Sequence, residues 1–380
     1  MESESTPPFK IFKAHISEQP PCLPEELIEE IFSRLPVKSL LRFRCVSKSW
    51  RYLIVSKRFV KKHLDNSTKN ASFAHHRIIL NSIEPQRGLK QCSFRSMLSD
   101  PFTDQFTFCD SINNDIRLAS ICVAGCCNGL VCILLDGKHF MLWNPSTRMS
   151  KKLPAMDHKI NRGHITNYGF GFDDLSGDYK VFGIASFFWI TGKYEAICKV
   201  YSLQTNSWKI VKKGNVSPFD KEGKFASGKL HWNRTLGLYW NIVSFDLRSE
   251  VCGAVELPSC FSDHGFYGSM GVLGGCLSML CDYKSRLDMW VMKQYGVKES
   301  WDKVVTVPYL HNPERSSFSA LFAIGPNGEV LLTYGSTFVI YYPEDNGFRH
   351  CQVTDLDIFR EPNIYVESLV SVIPYSERDV

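Results

Sequence analysis

Long apolar runs are missing from this chain of 380 residues. No window approaches the ~18 consecutive apolar residues that a membrane-spanning helix needs. Residues 1–22 also lack the apolar stretch of a secretory signal. They are polar and contain several prolines, so we expect residues 1–20 to form a disordered tail. We therefore expect a protein of the cytoplasm or the nucleus that does not bind membranes.

Recognisable catalytic motifs are missing as well. The sequence contains no G-x-S-x-G, no P-loop, no H-E-x-x-H and no Rossmann glycine pattern. Its 14 cysteines are scattered without a C-x-x-C pair and mostly alternate with apolar residues, which is typical of small core hydrophobes. A zinc site built from Cys122, Cys126, Cys127 and a histidine is conceivable, but the spacing matches no common pattern. We predict a protein without catalytic residues, metal or cofactor.

Acidic residues are absent between Val37 and Leu64, although the net charge of the chain is only +5. The same stretch contains nine basic residues, namely Lys38, Arg42, Arg44, Lys48, Arg51, Lys57, Arg58, Lys61 and Lys62. Such a run is typical of a nucleic-acid or membrane patch, or of a solvated helix face that meets an acidic partner. Because no aromatic platform is interleaved with the charges, we favour the second interpretation and expect no binding of nucleic acid. The alternative predicts salt-sensitive binding to DNA or RNA.

The sequence does contain a compact run of short helices near its N-terminus. Pro24 stands where a helix begins, and Leu27, Ile31 and Leu35 follow at four-residue spacing, which predicts an apolar stripe. Pro36 ends this helix. A second helix follows, and a third is predicted from about residue 47 to residue 55. Three short helices are marginally stable alone, so their apolar faces need a partner.

This helical segment resembles the F-box. The likeness is carried without a gap by Leu23, Pro24, Ile28, Ile31, Leu35, Pro36, Ser39, Leu40, Leu41, Arg44, Cys45, Val46, Ser47 and Trp50. The resemblance implies that residues 21–63 dock on the Skp-type adaptor of a cullin–RING ubiquitin ligase. Some apolar positions of the motif must instead form the small internal core of the three helices. The residues expected to bind the adaptor are Leu23, Pro24, Leu27, Ile28, Ile31, Leu35, Pro36, Leu40, Leu41 and Trp50.

The pattern of the sequence changes after a short polar stretch, residues 64–72, which we interpret as a linker. Short apolar runs bounded by Gly, Asn, Asp and Pro then predict an all-β region. Within it, five units repeat a strand, a turn and a strand that holds an aromatic anchor. The anchors are Trp143, Tyr201, Phe245, Trp290 and Tyr341. Their separations of 58, 44, 45 and 51 residues are close to the ~40–50 residues of a four-stranded propeller blade.

We therefore predict an α+β protein in which three short helices precede an all-β propeller of five to six blades. Residues Phe73 to Val123 could supply most of a sixth blade. The segment Tyr365 to Ile373 could be the terminal strand that completes it, because such closure removes exposed sheet edges. A β-sandwich with insertions is the alternative.

The β region also resembles a known family, the F-box-associated domain of a large plant group often called F-box/kelch-repeat proteins. The matching landmarks, in order, are Gly125–Leu130, Leu142–Arg148, Tyr168–Asp173, Asp178–Val181, Val200–Leu203 with Trp208, and Gly228–Trp232. The double glycines and paired Tyr/Trp of kelch blades are absent, so the kelch label is loose. The resemblance implies that residues 73–375 form this domain, followed by a tail of residues 376–380.

Together the two resemblances imply a non-catalytic substrate-recognition subunit of an SCF-type ubiquitin ligase. Its partners would be the Skp-type adaptor, through it the cullin and RING subunits, and a target protein held on the β domain. Holding the target near the ligase makes transfer to lysine effectively intramolecular. The alternative is a propeller-type binding protein or lectin with a helical cap. Nothing in the sequence names the target.

Aromatic residues in three predicted loops are our candidates for contact with the target. Exposed aromatics serve as interface anchors, and loops on rigid scaffolds carry recognition. These candidates are Phe188, Trp189, Tyr239, Trp240, Phe266 and Tyr267. The alternative is that they pack between blades. Five tryptophans that recur with the repeat are instead expected in the core, namely Trp143, Trp208, Trp232, Trp290 and Trp301.

Overall fold

The structure is a computed structural model that describes most of the chain. The described residues are 23–84, 88–99, 106–109, 120–156, 163–188, 194–214, 220–236, 239–258, 267–283, 285–309, 318–334, 337–351 and 358–373. Both predicted tails, residues 1–20 and 376–380, lie outside these ranges, as do Trp189 and Phe266.

The described N-terminal residues form four helices, which we call the helical domain. They are α1 (Glu25–Phe32), α2 (Val37–Phe43), α3 (Lys48–Val55) and α4 (Lys57–Thr68). Pro24 and Pro36 directly precede the first two helices, where a missing N–H costs nothing. Ser47 and Ser56 cap the other two, because each Oγ accepts a 3.2 Å hydrogen bond from a backbone N–H of the first turn.

Helix α4 corrects two expectations. Three helices and a linker at residues 64–72 were predicted, but α4 is a fourth helix and continues to Thr68. Although its sequence is polar overall, one face of α4 packs against the rest of the protein. On this helix the side-chain amide of Asn66 donates a hydrogen bond to Ser33 Oγ at 2.9 Å. Tertiary packing therefore outweighs the low helix propensity of its last residues. The buried positions are Phe59, Val60, His63, Leu64 and Ser67.

The rest of the described chain forms six four-stranded blades. Blade 1 contains β1 (His76–Glu84), β2 (Gly88–Ser93), β3 (Thr107–Phe108) and β24 (Ile358–Val366), with helix α5 (Phe94–Ser99) after β2. Blade 2 contains β4 (Ile121–Cys127), β5 (Leu130–Leu135), β6 (His139–Asn144) and β7 (Met149–Lys152). Blade 3 contains β8 (Gly163–Asp173), β9 (Asp178–Phe188), β10 (Tyr194–Ser202) and β11 (Ser207–Gly214).

The remaining blades follow in chain order. Blade 4 contains β12 (Glu222–Ala226), β13 (Lys229–Leu236), β14 (Tyr239–Asp246) and β15 (Cys252–Val255). Blade 5 contains β16 (Tyr267–Leu273), β17 (Cys276–Asp282), β18 (Arg286–Met292) and β19 (Trp301–Pro308), with a 3-10 helix (Lys298–Ser300) before β19. Blade 6 contains β20 (Phe318–Ile324), β21 (Val330–Tyr334), β22 (Thr337–Tyr342) and β23 (Gly347–Cys351).

The innermost strands of the blades form a closed ring. They contact one another in the order β24, β4, β8, β12, β16, β20 and back to β24. Blades 3 and 4 are also joined through a parallel pairing of β8 with β12, in which Tyr168 lies opposite Glu222. This ring confirms the predicted propeller and excludes the β-sandwich alternative.

The two ends of the propeller chain meet in blade 1, as predicted. Strand β24 pairs with β1, so that His76 lies opposite Val366 and Arg77 opposite Tyr365. The terminal strand is Ile358–Val366, however, and not Tyr365 to Ile373. The strand ends at Val366, and a side chain holds the segment that follows. The side-chain amide of Asn144 donates hydrogen bonds to the carbonyls of Ser368 and Val370 at 3.0 and 2.8 Å.

The aromatic anchors occupy equivalent places in five blades. Each lies in the third strand of its blade, namely Trp143 in β6, Tyr201 in β10, Phe245 in β14, Trp290 in β18 and Tyr341 in β22. All are buried or partly buried, and Trp232 and Trp301 are buried too, while Trp208 and Trp290 pack partly buried against the core. The tryptophans are therefore core residues, as predicted.

Blade topology defines two faces of the propeller. In a four-stranded antiparallel blade, the turns after the first and third strands lie on one face, and the other connections lie on the opposite face. The helical domain leads directly into β1, which is the second strand of its blade. A second strand begins where the turn after the first strand ends, so the helical domain lies on the face that carries these turns. We call this face the near face and the opposite one the far face.

Candidate functional site

Helix α1 presents an apolar face to solvent. Leu27 and Ile31 are 51% and 49% exposed, and their four-residue spacing places them on one side of the helix. Leu23, which is 54% exposed, lies just before the helix. The opposite side packs inward through Ile28 and Phe32. Large apolar side chains at regular spacing on one helix face mark a surface that binds a protein.

The other predicted adaptor-binding residues are mostly structural. Leu40 is fully buried, and Leu35, Leu41 and Trp50 are partly buried against the same apolar cluster. The indole of Trp50 packs edge-on against the Phe32 ring, with ring centroids 4.9 Å apart. These four residues, together with Ile28, form the internal core of the helical domain.

The two predicted prolines have a different place. Pro24 and Pro36 are exposed, and each occupies the N-cap position of its helix. Two further apolar residues that were not predicted are exposed in the same domain. Val46 is 62% exposed just after α2, and Tyr52 is 57% exposed on α3. Neither belongs to a periodic stripe, so spacing gave no signal for them.

Acidic residues of α1 neutralise part of the basic run on α4. Arg58 lies 2.6 Å and Lys62 3.2 Å from the carboxylate of Glu29, and Lys62 also lies 3.1 Å from Glu30. Burial raises the pKa of Glu29, but hydrogen bonds from Lys62 and Arg58 outweigh it, so this pKa lies below its ordinary value. The basic run therefore serves partly to hold α4 against α1.

Three histidines lie at the junction between the helical domain and blade 1. His63 on α4 is fully buried, its Nε2 lies 2.8 Å from the Leu35 carbonyl, and its ring centroid lies 5.9 Å from that of His75. His76, which begins β1, is also buried. Burial lowers the pKa of all three imidazoles, to about 4 for His76. The three histidines at the junction are therefore neutral at pH 7.

The four aromatic target candidates within the described residues lie in strands, and not in loops as predicted, namely Phe188, Tyr239, Trp240 and Tyr267. Phe188 ends β9, a second strand; Tyr239 begins β14, a third strand; and Tyr267 begins β16, a first strand. Each of these positions belongs to the far face of its blade, and the blades are three neighbours in the ring. Trp240 is partly buried against the core cluster of blades 4 and 5, which favours the packing alternative at that residue.

The described residues contain no cluster of three or more His, Cys, Asp or Glu side chains that could hold a metal ion. All twelve cysteines in the described ranges are free, and seven are buried. Burial raises the pKa of the Cys126 and Cys127 thiols well above the ordinary range. Within the same ranges, no helix is both long and apolar enough to cross a membrane.

Comparison with known proteins agrees with both halves of this architecture. Residues 20–62 match the F-box domain, and residues 75–369 match the F-box associated beta propeller domain. The chain is 30% identical to the F-box/kelch-repeat protein At3g23880 of Arabidopsis thaliana, over 93% of this chain and 96% of that protein. It is 29% identical to the F-box protein CPR1 of the same plant, over 92% and 88% of the two chains.

Proposed function

Because the chain belongs to the F-box proteins that carry an F-box-associated β-propeller domain, we propose that it is the substrate-recognition subunit of an SCF-type ubiquitin ligase. An F-box domain implies binding of a Skp-type adaptor, and F-box proteins are generally non-catalytic receptors. The proposal includes the cytoplasm or the nucleus as the place of action.

The observation that carries the proposal is the exposed apolar face of α1. Leu23, Leu27 and Ile31 leave their side chains half exposed next to one another, while Ile28 and Phe32 of the same helix are packed inward. A helix that binds in the groove of a partner protein does so through apolar anchors at such a four-residue spacing. We assign these three residues to the adaptor contact.

The two faces of the propeller allow the adaptor and the target to bind at different places. The helical domain lies on the near face, and the candidate aromatic positions of blades 3, 4 and 5 lie on the far face. A target bound on the far face would not compete with the adaptor for space. The receptor would act by raising the local concentration of the target beside the ligase, since it supplies no catalytic group.

A double substitution on α1 tests the adaptor contact. We expect Leu27→Asp with Ile31→Asp to weaken binding of a purified Skp-type adaptor to the full chain by about 100-fold or more, because it places two charges in an apolar interface. Both residues are exposed, so the helical domain should keep its fold. Titration calorimetry measures the affinity, and circular dichroism checks the fold.

The matched control is Leu175→Asp. Leu175 is 62% exposed on the turn after β8, and the same leucine-to-aspartate change there should leave adaptor binding unaltered. Leu40→Asp would not be diagnostic, because Leu40 lies fully buried in the core. Undiminished adaptor binding by a folded double variant would refute the assigned contact.

A further inference from the structure

A cavity of about 750 Å³ lies where the axis of the propeller meets the helical domain. Its walls come from the inner strands of all six blades, and Thr68 and Lys69 at the end of α4 line it from the helical side. Cavities of roughly 300–1,000 Å³ suit small organic ligands. One wall residue from each inner strand is, in ring order, Ile364, Cys126, Phe170, Phe225, Leu273 and Ile324.

The walls combine an apolar surface with few charges. Among the described residues that line the cavity, the charged side chains are Lys69, Lys224 and Glu222. Lys224 Nζ lies 3.0 Å from Glu222 Oε1, and Glu222 is only 6% exposed, so these two opposite charges offset each other. His76 also lines the cavity and is neutral at pH 7, since its pKa is lowered to about 4.

Lys69 therefore gives the cavity an excess of positive charge. It is exposed at the end of α4 and forms no ion pair within the described part of the chain. A cationic ligand would be repelled by this excess charge, and a neutral ligand would gain nothing from it. An anion with an apolar body would complement both the charge and the aromatic walls.

We propose that this cavity binds an organic monocarboxylate whose carboxylate contacts Lys69 and whose apolar body packs against Phe225 and Leu273. The helical domain and the propeller both contribute to the site. The ligand therefore binds only when the two parts are in contact, and it stabilises that contact in proportion to its occupancy.

Titration of the full chain with 8-phenyloctanoate tests the proposal. We expect saturable binding of one molecule per chain and a rise in melting temperature. The uncharged 8-phenyloctanamide and the cationic 8-phenyloctylamine should bind at least about tenfold more weakly, because neither forms a charge-assisted hydrogen bond from lysine to a carboxylate. Calorimetry and thermal unfolding monitor the two effects.

Two lysine variants, one at Lys69 directly after α4 and one at Lys61 on α4, locate the binding site. Lys69→Met should weaken binding of 8-phenyloctanoate by about tenfold while keeping the apolar stem of the side chain. Lys61→Met is the matched control, since Lys61 is exposed on α4 and does not line the cavity. It should bind the carboxylate as the unaltered chain does.

Three results would overturn the site. These are no binding and no thermal shift at about 1 mM ligand by a folded chain, equal affinities for the acid and the amide, or equal affinities of the Lys69→Met and Lys61→Met variants. None of these measurements involves the adaptor or ubiquitin. Their failure would leave the proposed ligase function untouched.

Discussion

At the scale of residues, side chains that look alike in the sequence differ in how far they are buried. Leu27, Ile31 and Leu40 are all apolar residues that were predicted to bind the adaptor, yet the first two are half exposed and Leu40 is fully buried. Burial also gives the junction histidines a role that their sequence positions do not suggest. His63 and His75 are packed ring against ring and lie near Arg77 and Glu367, which influence the pKa of His75 in opposite directions.

The junction predicts a loss of stability at acid pH. The pKa of His76 is about 4 in the folded protein against 6.5 for an ordinary histidine, so between these values the unfolded chain binds more protons. The free energy of unfolding should therefore fall as the pH falls below about 6.5, by roughly 2 kcal/mol at pH 5 from His76 alone. His63 and His75 act in the same direction.

Urea unfolding at pH 7.5 and pH 5 measures this effect. The His76→Gln variant should lose less stability than the unaltered chain over that interval, because glutamine does not titrate. His139→Gln, at an exposed strand end, should keep the full dependence on pH. Parallel pH profiles for His76→Gln and the unaltered chain would contradict the role given to His76.

At the scale of elements, turns and the segments that cross them hold the blades in register. The segment after β24 runs across two turns of blade 2. Ser368 Oγ donates to the Asn128 carbonyl at 2.9 Å, and the side-chain amide of Asn144 donates to the Ser368 carbonyl. Gly129 allows this approach, because a Cβ there would lie 2.2 Å from Ser368 Oγ and 2.6 Å from the Val366 carbonyl oxygen.

Two glycine-to-alanine variants separate this close approach from backbone strain. Gly129 has φ +81° and Gly228 has φ +75°, but a Cβ at Gly228 would meet nothing within 4 Å. Gly228→Ala should cost about 1–2 kcal/mol from its left-handed backbone alone. Gly129→Ala should cost roughly 1–3 kcal/mol more, because the terminal segment must move. Urea unfolding compares the two, and equal losses would show that the contact with Ser368 is not constraining.

At the scale of the whole molecule, ring closure makes the two ends of the propeller chain depend on each other. Blade 1 takes β24 from the C-terminal part and its other strands from residues 76–108. The buried apolar cluster of the helical domain also continues into the terminal segment through Leu369, Val370 and Val372. The helical domain, blades 2 and 3 and the terminal segment therefore share one core.

Truncation at the C-terminus tests this closure. A chain that ends at residue 357 lacks β24, so β1 and the inner strands of blades 2 and 6 lose their neighbour. We expect it to lose cooperative unfolding and to aggregate through the open sheet edges. The control chain ends at residue 373 and keeps all of β24 and the terminal segment. A cooperative melting transition for the shorter chain would argue against closure as the source of stability.

The sequence by itself determined the order of the parts and the kind of each part. Prolines at residues 24 and 36 and the apolar spacing between them predicted the first helix. The repeating aromatic anchors predicted the blades, because local periodicity follows directly from the geometry of helices and strands. The family resemblances and the propeller were confirmed for the same reason, since their landmarks are local and ordered along the chain.

Only the tertiary structure decided which of these residues are available for function. Helix α4 continues to Thr68 because its buried face packs on the rest of the protein, which no local signal revealed. The same packing leaves Leu27 and Ile31 exposed as candidates for adaptor binding and buries Leu40. It also brings Lys69 to a cavity lined by all six blades. Burial and proximity depend on contacts between residues far apart in the chain. The periodicity of a sequence is local and does not show which distant residues are in contact.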